Sequence, residues 1–296
     1  MEKVLERLMQ SGIDVYINEP LRCHTSFRIG GPAKYYVVPY TVEGLIETLN
    51  ILKRIIPVKI LGRGTNVLPS DESMELAVVS TEKLNKISIE GNFITCEGGV
   101  PLKKLCLVAK EASLSGLERA FGIPGSVGGA IFMNAGAFGW EIAETLVSVR
   151  IYDGNKFVDL KKEEMQFGYR TSIFKKRRDF LILSATFKLI EGDRRNIENE
   201  MVKIMKKRYE KQPLEIPSAG SIFKRPKPDF YVGSTLEKLG FKGFRVGDAK
   251  VSEKHAGFIV NCGNAKAEDV KKLINIIKER VKKEYNIVLE TEVEIW

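Results

Sequence analysis

The chain has 296 residues, of which 44% are hydrophobic and 29% are charged, and its formal net charge is +9. This composition is typical of a folded protein with about two or three domains, and it excludes a disordered chain. Charges interrupt the apolar residues of Met1 to Gln10, so this segment lacks the uninterrupted apolar core expected of a signal peptide, and no apolar run elsewhere reaches membrane-spanning length. We therefore expect a cytoplasmic protein that does not insert into membranes.

The positive charge is spread along the chain. Basic residues alternate with acidic ones in most helical stretches, and no nucleic-acid-binding motif is present, so we expect no nucleic-acid partner. The four cysteines have scattered spacings, which argue against a zinc site and a disulfide framework. We expect all four to be buried, inert thiols and expect no metal site.

Apolar periodicity predicts regular elements over the first half of the chain. A strand at 35–39, a helix with its apolar face at 42–52 and a strand at 57–61 form a predicted βαβ unit. Further strands are predicted at 76–79, 87–89 and 93–96. A helix then begins at Pro101, a residue favoured at a first helical position.

The second half of the chain also contains both predicted strands and predicted helices, which indicates an α+β protein. The predicted strands are 146–152, 157–160, 180–189 and a terminal strand over 287–296, and the predicted helices are Arg195–Tyr209 and Glu268–Glu284. Because the first of these helices ends before Pro213, we place a domain boundary near Tyr209.

Two segments are rich in glycine. One runs from Gly122 to Gly139 without any charge, and the other, LGRGTNVL, covers Leu61 to Leu68. Glycine lets a ligand approach the main chain, so successive N–H groups can converge on an anion such as a diphosphate. Neither segment is a P-loop, and Val67 stands where the dinucleotide fingerprint has its third glycine. Two tight turns in a packed domain are the alternative interpretation.

Ser221 follows Ala219 and Gly220, so a ligand can reach its hydroxyl group. The hydroxyl can donate a proton to a basic carbon, although a serine in a turn or helix cap is the common alternative. Arg170 lies between an aromatic and two hydroxyl residues, where its guanidinium group can bind a carboxylate or phosphate; a surface arginine is the alternative.

Three acids and two histidines complete the candidates. Glu290, Glu292 and Glu294 alternate with other residues, which predicts that all three share one strand face, normally a solvated one. The spacing does not indicate which of the three glutamates points into a cleft. His24 and His255 are the only histidines, and we interpret both as structural.

Seven motifs in one order resemble the UDP-N-acetylenolpyruvoylglucosamine reductase family, also called UDP-N-acetylmuramate dehydrogenases. They span nearly the whole chain and read HTSFRIGGPA, LGRGTNVL, GIPGSVGGAIFMNAGA, GYRTSIFK, SAGSIFKRP, VSEKHAGFIVN and LETEV. The resemblance implies a two-subdomain FAD-binding fold of the vanillyl-alcohol-oxidase (PCMH) type, followed by an α+β substrate domain. We expect FAD-binding subdomains at 1–80 and 81–209 and a substrate domain at 210–296, with the C-terminal strand able to return to the first subdomain.

The resemblance also implies the residues of the site. Arg170, Ser221 and Glu292 match the catalytic positions, and Lys211, Lys224 and Arg225 are the expected substrate-binding residues. The FAD-binding residues expected from the two glycine segments are Gly62, Arg63, Gly64, Thr65, Asn66, Gly122, Ile123, Pro124, Gly125, Ser126, Gly128, Gly129, Asn134, Gly136 and Ala137.

The implied reaction runs in two half-reactions on one flavin. NADPH gives a hydride to FAD, and the reduced flavin then reduces the enolpyruvyl sugar nucleotide in peptidoglycan precursor synthesis, which serves cell wall formation, cell shape and division. Arg170 and Glu292 would stabilise an enol form of the substrate while Ser221 donates the proton. We expect a monomer.

The chain departs from the family pattern in two places. Arg225 stands where the family often has asparagine, and the interval between Arg170 and Ser221 is too short for the tyrosine loop of one subgroup, so the shorter second type fits better. How the sugar nucleotide is clamped then stays open. An alcohol oxidase that reacts with oxygen and a basic nucleic-acid-binding protein are the alternative functions.

Overall fold

The computed structural model describes residues 2–296, and their side chains from residue 6 onward. The helices are α1 Glu2–Gln10, α2 Val42–Leu52, α3 Leu102–Glu111, α4 Val127–Met133, α5 Ile173–Lys176, α6 Arg194–Lys211, α7 Val232–Lys238 and α8 Ala267–Tyr285. The strands are β1 Asp14–Pro20, β2 Pro32–Val38, β3 Val58–Leu61, β4 Val67–Leu68, β5 Met74–Ser80, β6 Ile87–Glu90, β7 Phe93–Glu97, β8 Leu114–Ser115, β9 Gly136–Ala137, β10 Trp140–Glu141, β11 Leu146–Tyr152, β12 Phe157–Lys161, β13 Leu181–Lys188, β14 Ile190–Glu191, β15 Ser218–Ser221, β16 Arg245–Val246, β17 Ala249–Val251, β18 Phe258–Asn261 and β19 Glu294–Ile295.

The chain forms two compact units. The first contains the chain up to Val15 together with Val37–Arg63 and Val78–Lys207. The second contains Tyr16–Tyr36, Gly64–Ala77 and Arg208–Trp296. The mixture of helices and strands confirms the predicted α+β class. The division into 1–80, 81–209 and 210–296 stays a prediction.

A five-stranded antiparallel sheet of order β12-β11-β13-β7-β6 is the centre of the first unit. Alternate residues of β13 are buried, which explains why periodicity in the sequence predicts this strand. Buried residues of this sheet share one hydrophobic core with α3, whose residues Leu102, Leu105 and Ala109 are at most 1% exposed. Two short pairs, β10-β9 and β14-β8, lie beside this core.

The second unit packs α8 over a sheet of order β15-β18-β17-β16. All four residues of β18 are buried, and α8 buries Val270, Ile274, Ile277 and Val281 as its apolar stripe predicts. The last strand, β19, pairs in parallel with β4.

A further four-stranded sheet in the chain has the order β1-β2-β5-β3, so β5 lies between the two strands of the predicted βαβ unit.

Three predictions about local structure are wrong. Pro101 is the N-cap of α3 rather than its first helical residue. The predicted strand over 287–296 keeps regular strand structure only in β19, with an isolated bridge at Thr291. Cys23 and Cys262 are exposed, whereas Cys96 and Cys106 are buried as expected. Burial in apolar surroundings raises the pKa of both buried thiols to about 12, which keeps them protonated.

The described residues contain neither a membrane-spanning helix nor a cluster of metal-ligating side chains. In that part of the chain, no helix is both long and apolar enough to cross a membrane. No group of three or more His, Cys, Asp or Glu side chains within it is arranged to hold a metal ion.

We predict that Phe187→Ala destabilises the first unit. Phe187 is fully buried in β13, between Leu146 on one neighbouring strand and Ile94 on the other. Loss of a buried phenylalanine costs about 3–5 kcal/mol of unfolding free energy because a cavity remains. Thermal denaturation should show a melting temperature several degrees lower. The control is Phe157→Ala, which removes a half-exposed ring and should change little; equal effects of the two variants would contradict the assignment of the core.

Candidate active site

The LGRGTNVL segment and the Gly122–Gly139 segment meet within the first unit, at Gly62 and Ser126. A Cβ atom on Gly62 would overlap the hydroxyl oxygen of Ser126, so a side chain at this position would displace that hydroxyl group. Ser126 is the N-cap of α4, and its hydroxyl accepts the N–H of Gly129 at 3.3 Å. The end of β3 and the start of α4 therefore lie side by side.

Part of the backbone in this corner is available to an anion. The N–H groups of Val127 and Gly128 are already bound, to the carbonyls of Val100 at 2.8 Å and Gly98 at 2.7 Å. By contrast, no hydrogen bond within the described chain engages the N–H groups of Gly62, Gly125 and Ser126. Backbone N–H groups without a protein acceptor are the donors that bind phosphate groups.

The sequence interpretation missed the helix inside the glycine-rich segment. Residues Val127–Met133 are helical although Gly128 and Gly129 occupy the first turn, where glycine is a weak helix former. The signal that identifies it is Ser126 as N-cap before an apolar run. The helix ends at Asn134, which adopts the left-handed conformation.

The LGRGTNVL segment continues into the second unit, where Gly64 is tightly packed. Gly64 has a φ of +60°, and a Cβ atom on it would overlap the carbonyl oxygen of His24. The N–H of Ser26 donates to the Gly64 carbonyl at 3.0 Å, and the Ser26 hydroxyl donates to the carbonyl of Ser218 in β15 at 2.7 Å. Ser26 thus links the glycine loop to the strand that ends at Ser221, and sequence reasoning gave it no role.

Ser221 and Glu292 lie on backbone segments that are paired with each other. The N–H of Glu292 donates to the carbonyl of Ile222 at 2.7 Å, and Phe223 bridges Thr291 in antiparallel register. Asn66 of the glycine loop joins the same place, because its side-chain amide donates to the carbonyl of Glu292 at 3.1 Å. The second unit therefore brings together a predicted cofactor loop and two of the three predicted catalytic residues.

The hydroxyl group of Ser221 is accessible. Ser221 is half-buried, no hydrogen bond within the described residues engages its Oγ atom, and that atom is not one of their buried unpartnered polar atoms. Gly220, immediately before it, has a φ of +77° and has no atom within 4 Å of the position of a Cβ. The backbone beside the serine thus faces open space in which a ligand can lie.

The structure distinguishes the three alternating acids. Glu290 is exposed and forms an ion pair with Lys224 at 2.9 Å, and the hydrogen bond from Lys224 holds the pKa of this carboxyl below its usual range. Glu292 and Glu294 are half-buried. Of these two, Glu292 is the acid paired with the segment that follows Ser221. The backbone pairing, rather than the alternation, favours Glu292 as the functional acid.

Arg170 lies in the first unit and is held by two carbonyl groups. Its Nη2 donates to Gly136 at 2.8 Å, and its Nη1 donates to Asn134 at 3.5 Å. The guanidinium also lies 5.0 Å from the centre of the Tyr169 ring. Arg170 has a φ of +53°, a backbone conformation that is uncommon for residues other than glycine. Such conformations cluster at functional sites.

The remaining candidates lie at the surface or in structural contacts. Lys211 is exposed at the end of α6, and Arg225 lies 4.9 Å from the ring centre of Tyr231. The His24 ring hydrogen-bonds Glu19 at 2.8 Å and stacks on Tyr36, while Nδ1 of His255 accepts the N–H of Gly257 at 3.0 Å. Burial lowers the pKa of His255, which favours the neutral ring. These contacts agree with the structural interpretation of both histidines.

Family comparisons match both parts of the chain. The FAD binding domain family matches residues 33–156, and the C-terminal domain family of UDP-N-acetylenolpyruvoylglucosamine reductase matches residues 212–296. The UDP-N-acetylenolpyruvoylglucosamine reductase of Thermosipho melanesiensis is 56% identical over 99% of this chain and 100% of its own length. The chain belongs to the UDP-N-acetylenolpyruvoylglucosamine reductase family.

Further relatives agree with this family. The reductase of Thermotoga maritima is 50% identical over 94% of this chain and 97% of its own length. The crystal structure of the Thermus caldophilus reductase is similar with a TM-score of 0.81 and 34% identity, over 96% of this chain and 98% of that chain. An alkyldihydroxyacetonephosphate synthase, 13% identical with a TM-score of 0.50, covers 64% of this chain and 40% of that chain, and it shares the fold alone.

These matches confirm the predicted fold type and enzyme class. The protein is an FAD-dependent oxidoreductase with the vanillyl-alcohol-oxidase (PCMH) type of FAD-binding fold and a family-specific C-terminal domain. The residues of the glycine segments fit the cofactor, because they present unengaged N–H groups beside glycines with no room for a side chain. The individual site residues stay predictions.

We predict that Gly64→Ala lowers both stability and FAD content. Its Cβ would overlap the His24 carbonyl and would force an alanine into a positive φ. The matched control is Gly91→Ala, since Gly91 has nearly the same φ, +57°, but nothing within 4 Å of a Cβ. Thermal denaturation and the flavin absorbance per protein should fall much further for Gly64→Ala. Equal losses in the two variants would show that backbone strain alone, and not the packing on His24, is responsible.

Proposed function

We propose that this protein reduces UDP-N-acetylglucosamine enolpyruvate to UDP-N-acetylmuramate with NADPH, in the synthesis of peptidoglycan precursors. The observation that carries the proposal is the accessible Ser221 hydroxyl on a segment paired with that of Glu292. Family membership supports the substrate, since the relatives carry the reductase name. The proposal includes a monomeric enzyme that acts in the cytoplasm.

The cofactor supplies the redox chemistry. When bound, FAD would supply the hydride transfer from NADPH to the terminal vinyl carbon of the substrate. The residues expected to hold its diphosphate are those with unengaged N–H groups, Gly62, Gly125 and Ser126. The proposed catalytic residues would stabilise the charge that develops on the substrate and would donate a proton to it.

Ser221 is the proposed proton donor. Hydride addition to the vinyl carbon leaves negative charge on the neighbouring carbon, which bears the carboxylate, and that carbon must receive a proton. A serine hydroxyl is a weak acid, but it can protonate so basic a carbon. The absence of any hydrogen bond to Oγ within the described chain leaves this proton free to be given to the substrate.

Arg170 and Glu292 are proposed to stabilise the enol form of the substrate. The guanidinium of Arg170 would bind the substrate carboxylate, on which the charge develops. Glu292 would act as a hydrogen-bond donor, which requires its protonated form. These two roles rest on motif position, on the carbonyl groups that hold Arg170 and on the pairing that holds the backbone of Glu292.

Lysines and arginine near the serine are proposed to bind the sugar nucleotide. Lys224 and Arg225 follow β15 within four residues of Ser221, and Lys211 ends α6. Because Lys224 is paired with the exposed Glu290, it can exchange this weak surface ion pair for a phosphate of the substrate at little cost. Arg225, which lies over the ring of Tyr231, offers a second cation for the diphosphate.

The experiment that tests the function is a stepwise anaerobic titration of the purified protein. We expect a yellow protein whose flavin band is bleached by NADPH and restored by the enolpyruvyl sugar nucleotide. A colourless protein, or a flavin that NADPH reduces but the substrate does not reoxidise, would contradict the proposal. Rapid oxygen consumption with simple alcohols in the absence of NADPH would instead support an alcohol oxidase.

We predict that Ser221→Ala separates the two half-reactions. Flavin reduction by NADPH should stay close to normal, while reoxidation by the substrate should slow by about 100-fold or more because the proton donor is lost. Stopped-flow absorbance measures both steps. Ser234→Ala, an exposed serine of α7 in the same unit, is the control and should leave both rates unchanged. Equal slowing of both steps in Ser221→Ala would argue against a proton-donating role.

A further inference from the structure

We propose that Asn134 is a positioning residue that fixes the guanidinium group of Arg170, with Glu141 as its anchor. The proposal rests on the proposed role of Arg170. Sequence analysis predicted Asn134 as a cofactor-binding residue, but its side chain is only 1% exposed and its amide group is used within the protein.

The amide group of Asn134 connects two separate segments of the first unit. Its Nδ2 atom donates to Oε2 of Glu141 in β10 at 2.7 Å and to the carbonyl of Gly168 at 3.0 Å. Both partners are acceptors, so only the NH₂ side of the amide can face them, and both of its hydrogens are used. The bond to the carboxylate is charge-assisted and is therefore the stronger of the two.

Asn134 also contacts Arg170 directly, through its main chain. Its carbonyl oxygen accepts Nη1 of Arg170, and the carbonyl of Gly136, two residues later, accepts Nη2. One residue thus holds the backbone at Gly168, just before Arg170, and also provides an acceptor for the end of the Arg170 side chain. A shift of Asn134 would move both ends of the arginine.

The surrounding backbone shows that this arrangement has two strained turns. Asn134 has a φ of +45° and Arg170 a φ of +53°, both in the left-handed region. Asparagine tolerates this region well, whereas arginine does not, so Arg170 needs outside contacts to stay there. Gly168 and Thr171 exchange backbone hydrogen bonds of 3.1 Å around Arg170, and Ser172 donates to the carbonyl of Phe132 at 2.7 Å. The bond from Asn134 to Gly168 fixes the start of the same turn.

The main test is Asn134→Gly in the FAD-loaded enzyme. Glycine keeps the left-handed backbone and removes both side-chain hydrogen bonds, so the carbonyls that hold Arg170 lose their anchor. We expect reoxidation of the reduced flavin by the enolpyruvyl sugar nucleotide to slow by about tenfold or more, because small displacements of a charged group are costly in catalysis. FAD content and flavin reduction by NADPH should stay near those of the unchanged protein.

Asn286→Gly is the matched control. Asn286 is also a helix C-cap in the left-handed conformation, with a φ of +54°, but it is exposed at the end of α8. It should leave both half-reactions unchanged. Equal effects of the two glycine variants would overturn the proposal, since the amide of Asn134 would then have no specific role.

A double-mutant cycle with Arg170→Lys separates positioning from general structure. If Asn134 acts through Arg170, Asn134→Gly should slow reoxidation little further once Arg170 is lysine. Full additivity would overturn the proposal. If Arg170→Lys alone leaves the reoxidation rate unchanged, the proposed role of Arg170 fails. If Asn134→Gly nevertheless slows reoxidation in that case, Asn134 does not act through Arg170.

Two variants of Glu141 provide an independent test if Asn134→Gly binds FAD poorly. Glu141→Gln keeps an oxygen that can accept from Asn134, whereas Glu141→Met has a similar length and no such acceptor. We expect Glu141→Met to slow reoxidation and Glu141→Gln to restore most of the rate. Equal rates in the two variants would overturn the anchoring role of Glu141.

Discussion

The hydrogen bonds of the Gly64–Asn66 loop are the constraint on which the candidate site depends. Gly64 packs against the His24 carbonyl where no side chain fits, and Ser26 joins the loop to β15. Asn66 donates to the carbonyl of Glu292 and accepts the N–H of Glu294 at 3.0 Å. The loop proposed to bind FAD therefore also fixes the backbone of the proposed catalytic acid. The placement of Glu292 then depends on a contact 226 residues away along the chain.

In the first unit, backbone groups of other residues are also available to a ligand or hold a candidate catalytic side chain. Its Gly125 and Ser126 leave backbone N–H groups without protein acceptors, while Asn134 and Gly136 use their carbonyls to hold a cation. Donors and acceptors are thus separated along one glycine-rich segment. Those at its start suit the phosphates of the cofactor, and those at its end suit the guanidinium group of Arg170.

Apolar periodicity predicted most of the regular structure, because elements such as β13 and α8 bury one face each. The helix α4 was missed because glycines hide its pattern, and the terminal strand was overextended because alternation resembles a strand even where only backbone bridges form. The cofactor and the enzyme class came from the resemblance in motifs, which the comparisons confirm. The contacts of Asn66 and Asn134 could not be predicted, since each joins an amide to carbonyls that only the fold brings near.

The measurement that tests the role of the Gly64–Asn66 loop most directly is the rate at which the substrate reoxidises the reduced flavin in Asn66→Ala. We expect slower reoxidation with normal FAD content and normal reduction by NADPH, because the side-chain bond to the Glu292 carbonyl is lost while the backbone of the loop is kept. An unchanged reoxidation rate would contradict it. A loss of FAD that explains all of the slowing would contradict it as well, since the loop would then serve the cofactor alone.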